Sequence, residues 1–236
     1  LIRSSARRHL AVQVHTSGAY DEALREFAEA EDEARRAGDQ LQAAIARNNA
    51  VWTAIRLNRL DLAERMLVDA RRVFETFDAQ VGLLHAQATL GQIVGLRGDA
   101  ERSIQLLREA AAGFRVIGDN KSLMVVVGET GGLLCRDGRW DEALACFVEA
   151  DAVAHDLGDL RGIGALGAGR AQVLVGLGRI DDALVLLAEV RDTLRPMGVT
   201  DISLSVDLVV ADTLGAAGRR EEALRVLDDV ERCLAG

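Results

Sequence analysis

One turn position recurs every 40 residues along this chain of 236 residues. It holds glycine in five copies and asparagine in one: Gly18, Asn58, Gly98, Gly138, Gly178 and Gly218. Glycine and asparagine are the residues that most readily adopt the left-handed backbone conformation that ends a helix. The spacing therefore predicts six copies of one structural unit, because a period of this length is typical of stacked repeats.

The segment after each turn residue repeats as well. It reads "DEAL" at 21–24 and 141–144, "DDAL" at 181–184, "EEAL" at 221–224, and more weakly "DLAE" at 61–64 and "ERSI" at 101–104. A column of small residues runs through these copies: Ala23, Ala63, Ser103, Ala143, Ala183 and Ala223. Four positions later stand large residues, Phe27, Leu67, Leu107, Phe147, Leu187 and Leu227, and three later small or branched ones, Ala30, Ala70, Ala110, Ala150, Val190 and Val230. Spacings of four and three place all three columns on one face of a helix.

A second turn signal follows about twenty residues after the first. It is "GD" at 38–39, 118–119 and 158–159, with weaker copies "DA" at 78–79 and "GV" at 198–199. We interpret the glycine as the residue after one helix and the aspartate as the N-cap of the next. Connections this short join antiparallel neighbours.

The pattern predicts an all-α protein of twelve helices in six antiparallel hairpins. The first helices cover about 2–16, 40–56, 80–96, 120–136, 160–176 and 200–216, and the second about 20–36, 60–76, 100–116, 140–156, 180–196 and 220–234. One hairpin cannot bury its apolar face alone, so the hairpins are expected to stack as a single repeat domain over 1–236. Their expected limits are about 1–37, 38–77, 78–117, 118–157, 158–197 and 198–236.

Composition excludes several function classes. A net charge of −9 argues against nucleic-acid binding, which needs a basic face. The basic stretch at 3–9 is interpreted as a solvated first helix, with phosphate binding as the less favoured alternative. Cys135, Cys146 and Cys233 form no CxxC pair or disulfide framework, which favours a reducing, cytoplasmic setting.

The sequence shows no membrane or targeting segment. No apolar run approaches the roughly 20 residues of a membrane span, and no signal peptide is visible. The sequence begins with Leu1 rather than methionine, so we expect an excised domain or fragment from which an N-terminal signal could be missing.

The repeat resembles the tetratricopeptide family over essentially the whole length. In that family the first helix contains a Leu-Gly pair. An alanine follows the glycine by twelve residues, a large apolar residue by sixteen and a second alanine by nineteen. Here Leu90-Gly91 leads to Ser103, Leu107 and Ala110, and Gly131 leads to Ala143, Phe147 and Ala150. The resemblance implies a right-handed α-solenoid whose first helices line a concave face. Long repeats of this style are similar to those of bacterial regulators, and also to arrays attached to caspase-like proteases.

The resemblance also implies which positions face a partner. The candidate partner-binding residues of the concave face are Arg8, Asn48, Trp52, Arg56, Gln92, Gly132, Arg136, Gln172 and Asp212. Asn48, Trp52 and Arg56 form one stripe, at i, i+4 and i+8. Asparagine can both donate to and accept from a peptide amide, and Trp and Arg are favoured at binding hot spots. The alternative is that Trp52 packs in the core and Arg56 is solvated.

Two first helices are unusually rich in glycine. They contain "VVVGETGGLLCRDG" at 125–138 and "RGIGALGAGRAQ" at 161–172. A phosphate-binding loop is rejected, because no strand precedes the second stretch and no GK[ST] follows it. Close helix packing is the favoured explanation, and a groove widened for a ligand at Gly132 and Ala168 is the second.

These observations predict a non-catalytic protein- or peptide-binding module, most readily the sensing or partner-binding region of a bacterial cytoplasmic regulator. The histidines lack metal-ligand spacing and no nucleophile–base motif is present, so we expect no enzyme activity, cofactor or metal. We also expect no direct contact with nucleic acid or membrane. The alternative is a structural scaffold or oligomerisation module, with an effector such as a protease attached. Apolar residues on the last helix, among them Val230 and Leu234, indicate either a chain that continues or a homodimer contact.

Overall fold

Every regular element is helical in the computed structural model, which describes residues 2–197 and 200–235. The first helices of the hairpins are α1 (Ile2–Thr16), α3 (Gln40–Arg56), α5 (Gln80–Leu96), α7 (Asn120–Arg136), α9 (Leu160–Gly176) and α11 (Thr200–Ala216). The second helices are α2 (Tyr20–Arg36), α4 (Leu60–Thr76), α6 (Ala100–Ile117), α8 (Trp140–Leu157), α10 (Ile180–Leu194) and α12 (Arg220–Ala235). The predicted twelve helices are therefore confirmed. The predicted turn "GV" at 198–199 lies outside the described residues.

Both turn signals have the predicted conformations. The six residues of the 40-residue column all have positive φ, from 57° at Asn58 to 97° at Gly98. In the second turn, the weaker copy Asp78 also has a positive φ, of 47°. Asp39 caps α3 by accepting a hydrogen bond from the Gln42 backbone N–H at 2.9 Å. The equivalent caps of α7 and α9 are the aspartates of the other two "GD" pairs, Asp119 and Asp159.

Helix α10 ends earlier than the predicted range of 180–196. The α-helix stops at Leu194, and a single 3-10 turn follows at Arg195–Met197. Pro196 is the physical reason, because proline has no amide hydrogen and its ring clashes with the carbonyl of the preceding turn.

The repeat columns form the core. The column of small residues is buried throughout: Ala23, Ala63, Ser103, Ala143 and Ala183 are 0% exposed and Ala223 is 8% exposed. Phe27, Leu67, Leu107, Phe147 and Leu187 are buried beside them, whereas Leu227 is half-buried. Small residues let neighbouring helices approach closely, and the large ones fill the space between them.

The chain divides into two compact units, Leu1–Gly113 and Phe114–Gly236, with the division inside α6. In the first unit α1, α2, α3, α4 and α5 pack in chain order, and α3 also contacts α1 and α5. In the second unit α7 to α12 do the same, and α9 also contacts α7 and α11. Within each unit, therefore, first helices of successive hairpins lie side by side. A single domain over 1–236 remains a prediction.

Ion pairs join second helices to neighbouring first helices. Glu31 on α2 accepts from Arg47 on α3, and Arg191 on α10 pairs with Asp207 on α11 at 2.6 Å. In both pairs the partners are sixteen residues apart, but the acidic residue is on the second helix in the first pair and on the first helix in the other. Arg7, in the stretch predicted to be solvated, bonds two carboxylates that α2 presents to it, Glu26 at 2.9 Å and Glu33 at 3.1 Å.

Candidate functional site

The first unit contains a cavity of about 680 Å³ between its first helices. Helices α1, α3 and α5 contribute most of its lining, and Phe74 of α4 closes the end near Gly82. The volume falls within the range of roughly 300–1,000 Å³ that small-ligand sites occupy. The lining residues are Arg8, His9, Val12, Leu41, Gln42, Ile45, Asn48, Asn49, Trp52, Phe74, Ala79, Gln80, Val81, Gly82 and His85.

Asn48 carries an unsatisfied polar atom in this lining. The residue is 7% exposed, and its side-chain carbonyl oxygen Oδ1 is buried without a hydrogen-bond partner among the described residues. A buried acceptor without a donor costs about 1–3 kcal/mol. The folded chain therefore bears a free-energy penalty at Asn48.

Arg8, on α1, adds a positive charge to the lining of this cavity. Its Nη1 donates to Gln42 Oε1 at 3.0 Å, which holds the guanidinium at the cavity. Burial lowers the pKa of Arg8 from its ordinary value, yet an arginine stays protonated in proteins. Arg8 has no carboxylate partner in the described part of the chain, and no Asp or Glu belongs to the cavity lining given above. The cavity thus contains a partly desolvated cation that no internal anion neutralises.

Trp52 forms an amphipathic part of the wall. Its side chain is 36% exposed, so the alternative that it packs in the core is not what the structure shows. Val12 and Val81, which are 42% and 50% exposed, also line the cavity, together with Leu41 and Ile45. Exposed apolar side chains around an indole give a surface that gains free energy when a ligand covers it.

Arg56 lies outside this cavity, although it was predicted to continue the stripe of Asn48 and Trp52. Its Nε donates to the Tyr20 hydroxyl at 3.2 Å, and its guanidinium lies 5.5 Å from the centre of the Tyr20 ring. His15 packs edge-on against the same ring, with centroids 5.2 Å apart. Tyr20 on α2 offers Arg56 both a ring face and an acceptor, which explains why the guanidinium turns away from the cavity.

Several lining residues were missed in the sequence. On α3, Leu41, Ile45, Asn48 and Trp52 follow one another at spacings of four, three and four residues, so the four share one helical face. Val81 and His85 stand 40 residues after Leu41 and Ile45. These residues could therefore have been predicted from two further repeat columns, which lie one and two helical turns before the column of Asn48.

The remaining predicted site residues are not brought to this cavity. Gln92 is half-buried, and Arg136 and Asp212 are exposed. Gly132 and Gln172 line a second cavity, of about 450 Å³, between α7 and α9 in the second unit. Its lining is Met124, Val125, Gly128, Glu129, Gly132, Phe147, Gly162, Ala165, Leu166, Ala168, Gly169 and Gln172.

Close packing accounts for most of the glycines in α7 and α9, as the favoured explanation predicted. A Cβ on Gly169 would lie 2.6 Å from Cε1 of Phe147, and one on Gly128 would lie 2.8 Å from Cδ2 of Leu166. Real Cβ contacts are longer, so alanine at Gly169 would displace the Phe147 ring and alanine at Gly128 would require Leu166 to move. Gly132 differs, because no atom lies within 4 Å of the position its Cβ would occupy. It therefore opens onto the second cavity rather than admitting a neighbouring helix.

No group of three or more His, Cys, Asp or Glu side chains in the described residues is arranged to hold a metal ion. Cys135 and Cys146 are half-buried and Cys233 is exposed, and none of the three forms a disulfide. Over the same part of the chain, no helix is long and apolar enough to cross a membrane.

Comparison with known proteins identifies the fold. No family model matches the chain, and neither does any curated protein. BtubC from P. vanneervenii is 12% identical with a TM-score of 0.76, and the match covers 92% of this chain and 91% of that one. A signal transduction ATPase with numerous domains and a tetratricopeptide repeat sensor, from Pyrococcus horikoshii, is 14% identical with a TM-score of 0.77.

The match to the Pyrococcus protein covers 97% of this chain but only 36% of that one. A Rap protein, whose structure was solved in complex with Competence and Sporulation Factor, is 14% identical with a TM-score of 0.70; the match covers 99% of this chain and 64% of that one. At these identities the likeness concerns the fold. The chain is an all-α repeat solenoid with the fold of tetratricopeptide-like repeat proteins.

Proposed function

We propose that this chain is a non-catalytic peptide-binding repeat module and that the peptide occupies the cavity of α1, α3 and α5. The exposed indole of Trp52 in the wall of this cavity is the observation that carries the proposal. Trp52 and the aliphatic residues around it provide the apolar surface on which a peptide side chain packs.

The wider role is sensing or partner binding in a bacterial cytoplasmic regulator. Two of the similar solved structures support this role: one is described as a tetratricopeptide repeat sensor, and the other is a Rap protein in complex with Competence and Sporulation Factor. A ligand that binds one arrangement of the first helices better than another shifts the population of the repeat array, and an attached effector can respond to that shift.

A non-catalytic role agrees with the chemistry of the available side chains. Burial raises the pKa of the Cys135 thiol, although the neighbouring Arg136 opposes the change. The thiolate is the nucleophilic form, so it is scarce at neutral pH. His15 is engaged by the hydroxyl of Thr53 at 3.0 Å, and Thr53 is fully buried, so a substrate cannot reach that hydroxyl.

Selection of peptides from a random display library tests the proposal. Peptides selected on the chain are measured against Trp52→Ala and against Gly132→Leu, which fills the second cavity. We expect Trp52→Ala to weaken binding by tenfold or more and Gly132→Leu to leave it unchanged. Loss of binding in Gly132→Leu alone would move the site to the second unit. Absence of any peptide that depends on Trp52 would refute a peptide site at α3.

A scaffold or oligomerisation role is the second candidate, favoured by one observation. Leu224 and Leu234 on α12 are 51% and 71% exposed. Apolar side chains at these exposures suit a contact with a second copy or another subunit. Light scattering on Leu224→Glu/Leu234→Glu distinguishes the roles, because a change of mass without a change in peptide binding favours the scaffold.

A further inference from the structure

The outward sides of α8 and α10 differ from those of the other second helices. Three exposed positions recur on every second helix at i, i+3 and i+7, and they share one face. In α2, α4, α6 and α12 these positions include at least one arginine: Arg25, Arg65, Arg72, Arg108, Arg225 and Arg232. In α8 they hold Ala145, Val148 and Ala152, and in α10 Val185, Ala188 and Asp192. The five apolar residues Ala145, Val148, Ala152, Val185 and Ala188 form the α8–α10 outer face.

The two halves of the α8–α10 outer face belong to one surface. Both helices pack against α9, and Leu144 of α8 packs against the core cluster to which α10 contributes. Successive second helices also lie within reach of each other's side chains, since Arg115 on α6 pairs with Glu149 on α8. Val148 is 46% exposed and Val185 is 61% exposed. A partner that covers these side chains gains free energy by removing apolar area from water.

Carboxylates surround the outer face, and cations are almost absent from its two helices. α8 contains no lysine or arginine, and the single arginine of α10, Arg191, is half-buried and pairs with Asp207 at 2.6 Å. Arginines from neighbouring segments pair with three of the exposed carboxylates, but Glu189 and Asp192, beside Val185, form no ion pair within the described residues. The exposed carboxylates of the two helices are Asp141, Glu142, Glu149, Asp156, Asp181, Asp182, Glu189 and Asp192.

The negative charge of the chain is concentrated in the same unit. Residues 114–236 contain 21 acidic and 13 basic residues, whereas residues 1–113 contain 16 acidic and 15 basic residues. The electrostatic field around the second unit therefore attracts cations. Nucleic acid and acidic lipid are repelled from it, and so is the same face of a second copy, because like charges that meet across an interface are unfavourable.

From these observations we propose that the α8–α10 outer face is a docking surface for a cationic amphipathic helix of a partner protein. The apolar side of such a helix covers Val148 and Val185, and its lysines or arginines meet the carboxylates around them. The alanines of the outer face are small, so the partner helix can approach closely. The outer face is formed by second helices and is separate from the cavity of α1, α3 and α5. The inference therefore does not rest on the proposed function.

The test measures the binding of synthetic helices to the chain. The probe is a fluorescently labelled peptide of 18 residues, the length of α8, made of leucine and lysine with all leucines on one helical face. A second peptide has glutamate in place of lysine. A third has the same leucine and lysine content as the probe in an order that gives no apolar face. Fluorescence anisotropy reports each affinity at about 0.05 M and about 0.2 M salt.

Matched variants locate the binding site of the probe. Val148→Arg/Val185→Arg places two cations in the outer face. Val68→Arg is the control, because Val68 is 45% exposed and stands at the position of α4 that corresponds to Val148. Trp52→Ala reports whether the probe occupies the first cavity instead. Circular dichroism on each variant confirms that the helices are retained, so that loss of binding is not loss of fold.

We expect the leucine–lysine helix to bind, the glutamate helix not to bind, and the reordered peptide to bind more weakly by about tenfold or more. Val148→Arg/Val185→Arg should weaken binding of the probe by about tenfold or more, whereas Val68→Arg and Trp52→Ala should leave it unchanged. The higher salt concentration should weaken binding by about three- to tenfold, because it screens exposed charges.

Several results would overturn the proposal. No binding of the leucine–lysine helix, or equal binding to Val148→Arg/Val185→Arg and to Val68→Arg, removes the outer face as its site. Equal binding of the probe and the reordered peptide leaves only attraction between opposite charges. Loss of binding in Trp52→Ala alone places the probe in the first cavity. A dimer in light scattering that is absent only in Val148→Arg/Val185→Arg makes a second copy the occupant.

Discussion

Replacing Asn48 by leucine should stabilise the chain and abolish ligand binding. The amide oxygen is buried without a partner in the described residues, so the native state bears a desolvation penalty that the unfolded chain does not. Leucine has a similar branched shape and no polar atom. Its additional volume can extend into the cavity, which prevents overpacking.

The structure sets the size of the effect. An unsatisfied buried polar atom costs about 1–3 kcal/mol, and leucine is a better helix former than asparagine by roughly 0.5 kcal/mol. Together we expect the free energy of unfolding to rise by about 1.5–3.5 kcal/mol, or a melting temperature higher by roughly 3–14 °C for a chain of this size.

Ser103→Ala is a matched control for this substitution. Ser103 is 0% exposed and its hydroxyl also lacks a partner, but it lies on α6 away from the cavity. The other copies of the column hold alanine. Urea unfolding should show a similar gain in both variants, while only Asn48→Leu loses binding. A neutral or destabilising Asn48→Leu beside a stabilising Ser103→Ala would show that the Asn48 amide is satisfied in solution, which would refute this reasoning.

Two further predictions concern packing and pH. Gly169→Ala should lower the free energy of unfolding by about 1–3 kcal/mol, because its Cβ would lie 2.6 Å from the ring of Phe147. Gly132→Ala should instead raise it by about 0.5–1 kcal/mol, since that position is open and alanine favours helix; urea unfolding of the pair measures the difference. Burial, and secondarily Arg56, lower the pKa of His15, so the unfolded state binds a proton more readily. Stability should therefore be fully present above about pH 6.5 and fall as the pH drops below it, and His15→Gln should flatten this change in unfolding curves recorded between about pH 7.5 and 5.

The helices and turns could be predicted from sequence because the repeat determines them locally. A residue in the left-handed conformation follows the first helix of each hairpin. At Asn58 this conformation depends on its own side chain and on its neighbours along the chain. The buried columns follow from helical spacing in the same way. The described helix end that differs from its prediction by more than one residue, at Leu194, is where the steric effect of Pro196 interrupts the repeat pattern.

The site could be predicted only in part, because its geometry depends on which side chains of different helices meet. The spacing of Asn48 and Trp52 placed both on one face, and both line the cavity. The same spacing placed Arg56 there, and nothing along α3 reveals that Tyr20, on another hairpin, holds its guanidinium. Nor does the sequence indicate that Asn48 Oδ1 lacks a hydrogen-bond partner in the described residues, since that depends on all the groups that surround it in the folded chain.

Two of the columns that line both cavities hold very different residues in the two units. Where α3 has Asn48 and Trp52, α7 has Gly128 and Gly132. The second pair cannot simply be exchanged for the first, since any side chain at Gly128 meets Leu166, with a Cβ only 2.8 Å from its Cδ2. A common backbone therefore presents a polar, charged cavity in one unit and a small, largely apolar one in the other. Ligand specificity in such a fold lies in the departures from the repeat, while its stability lies in the columns that repeat.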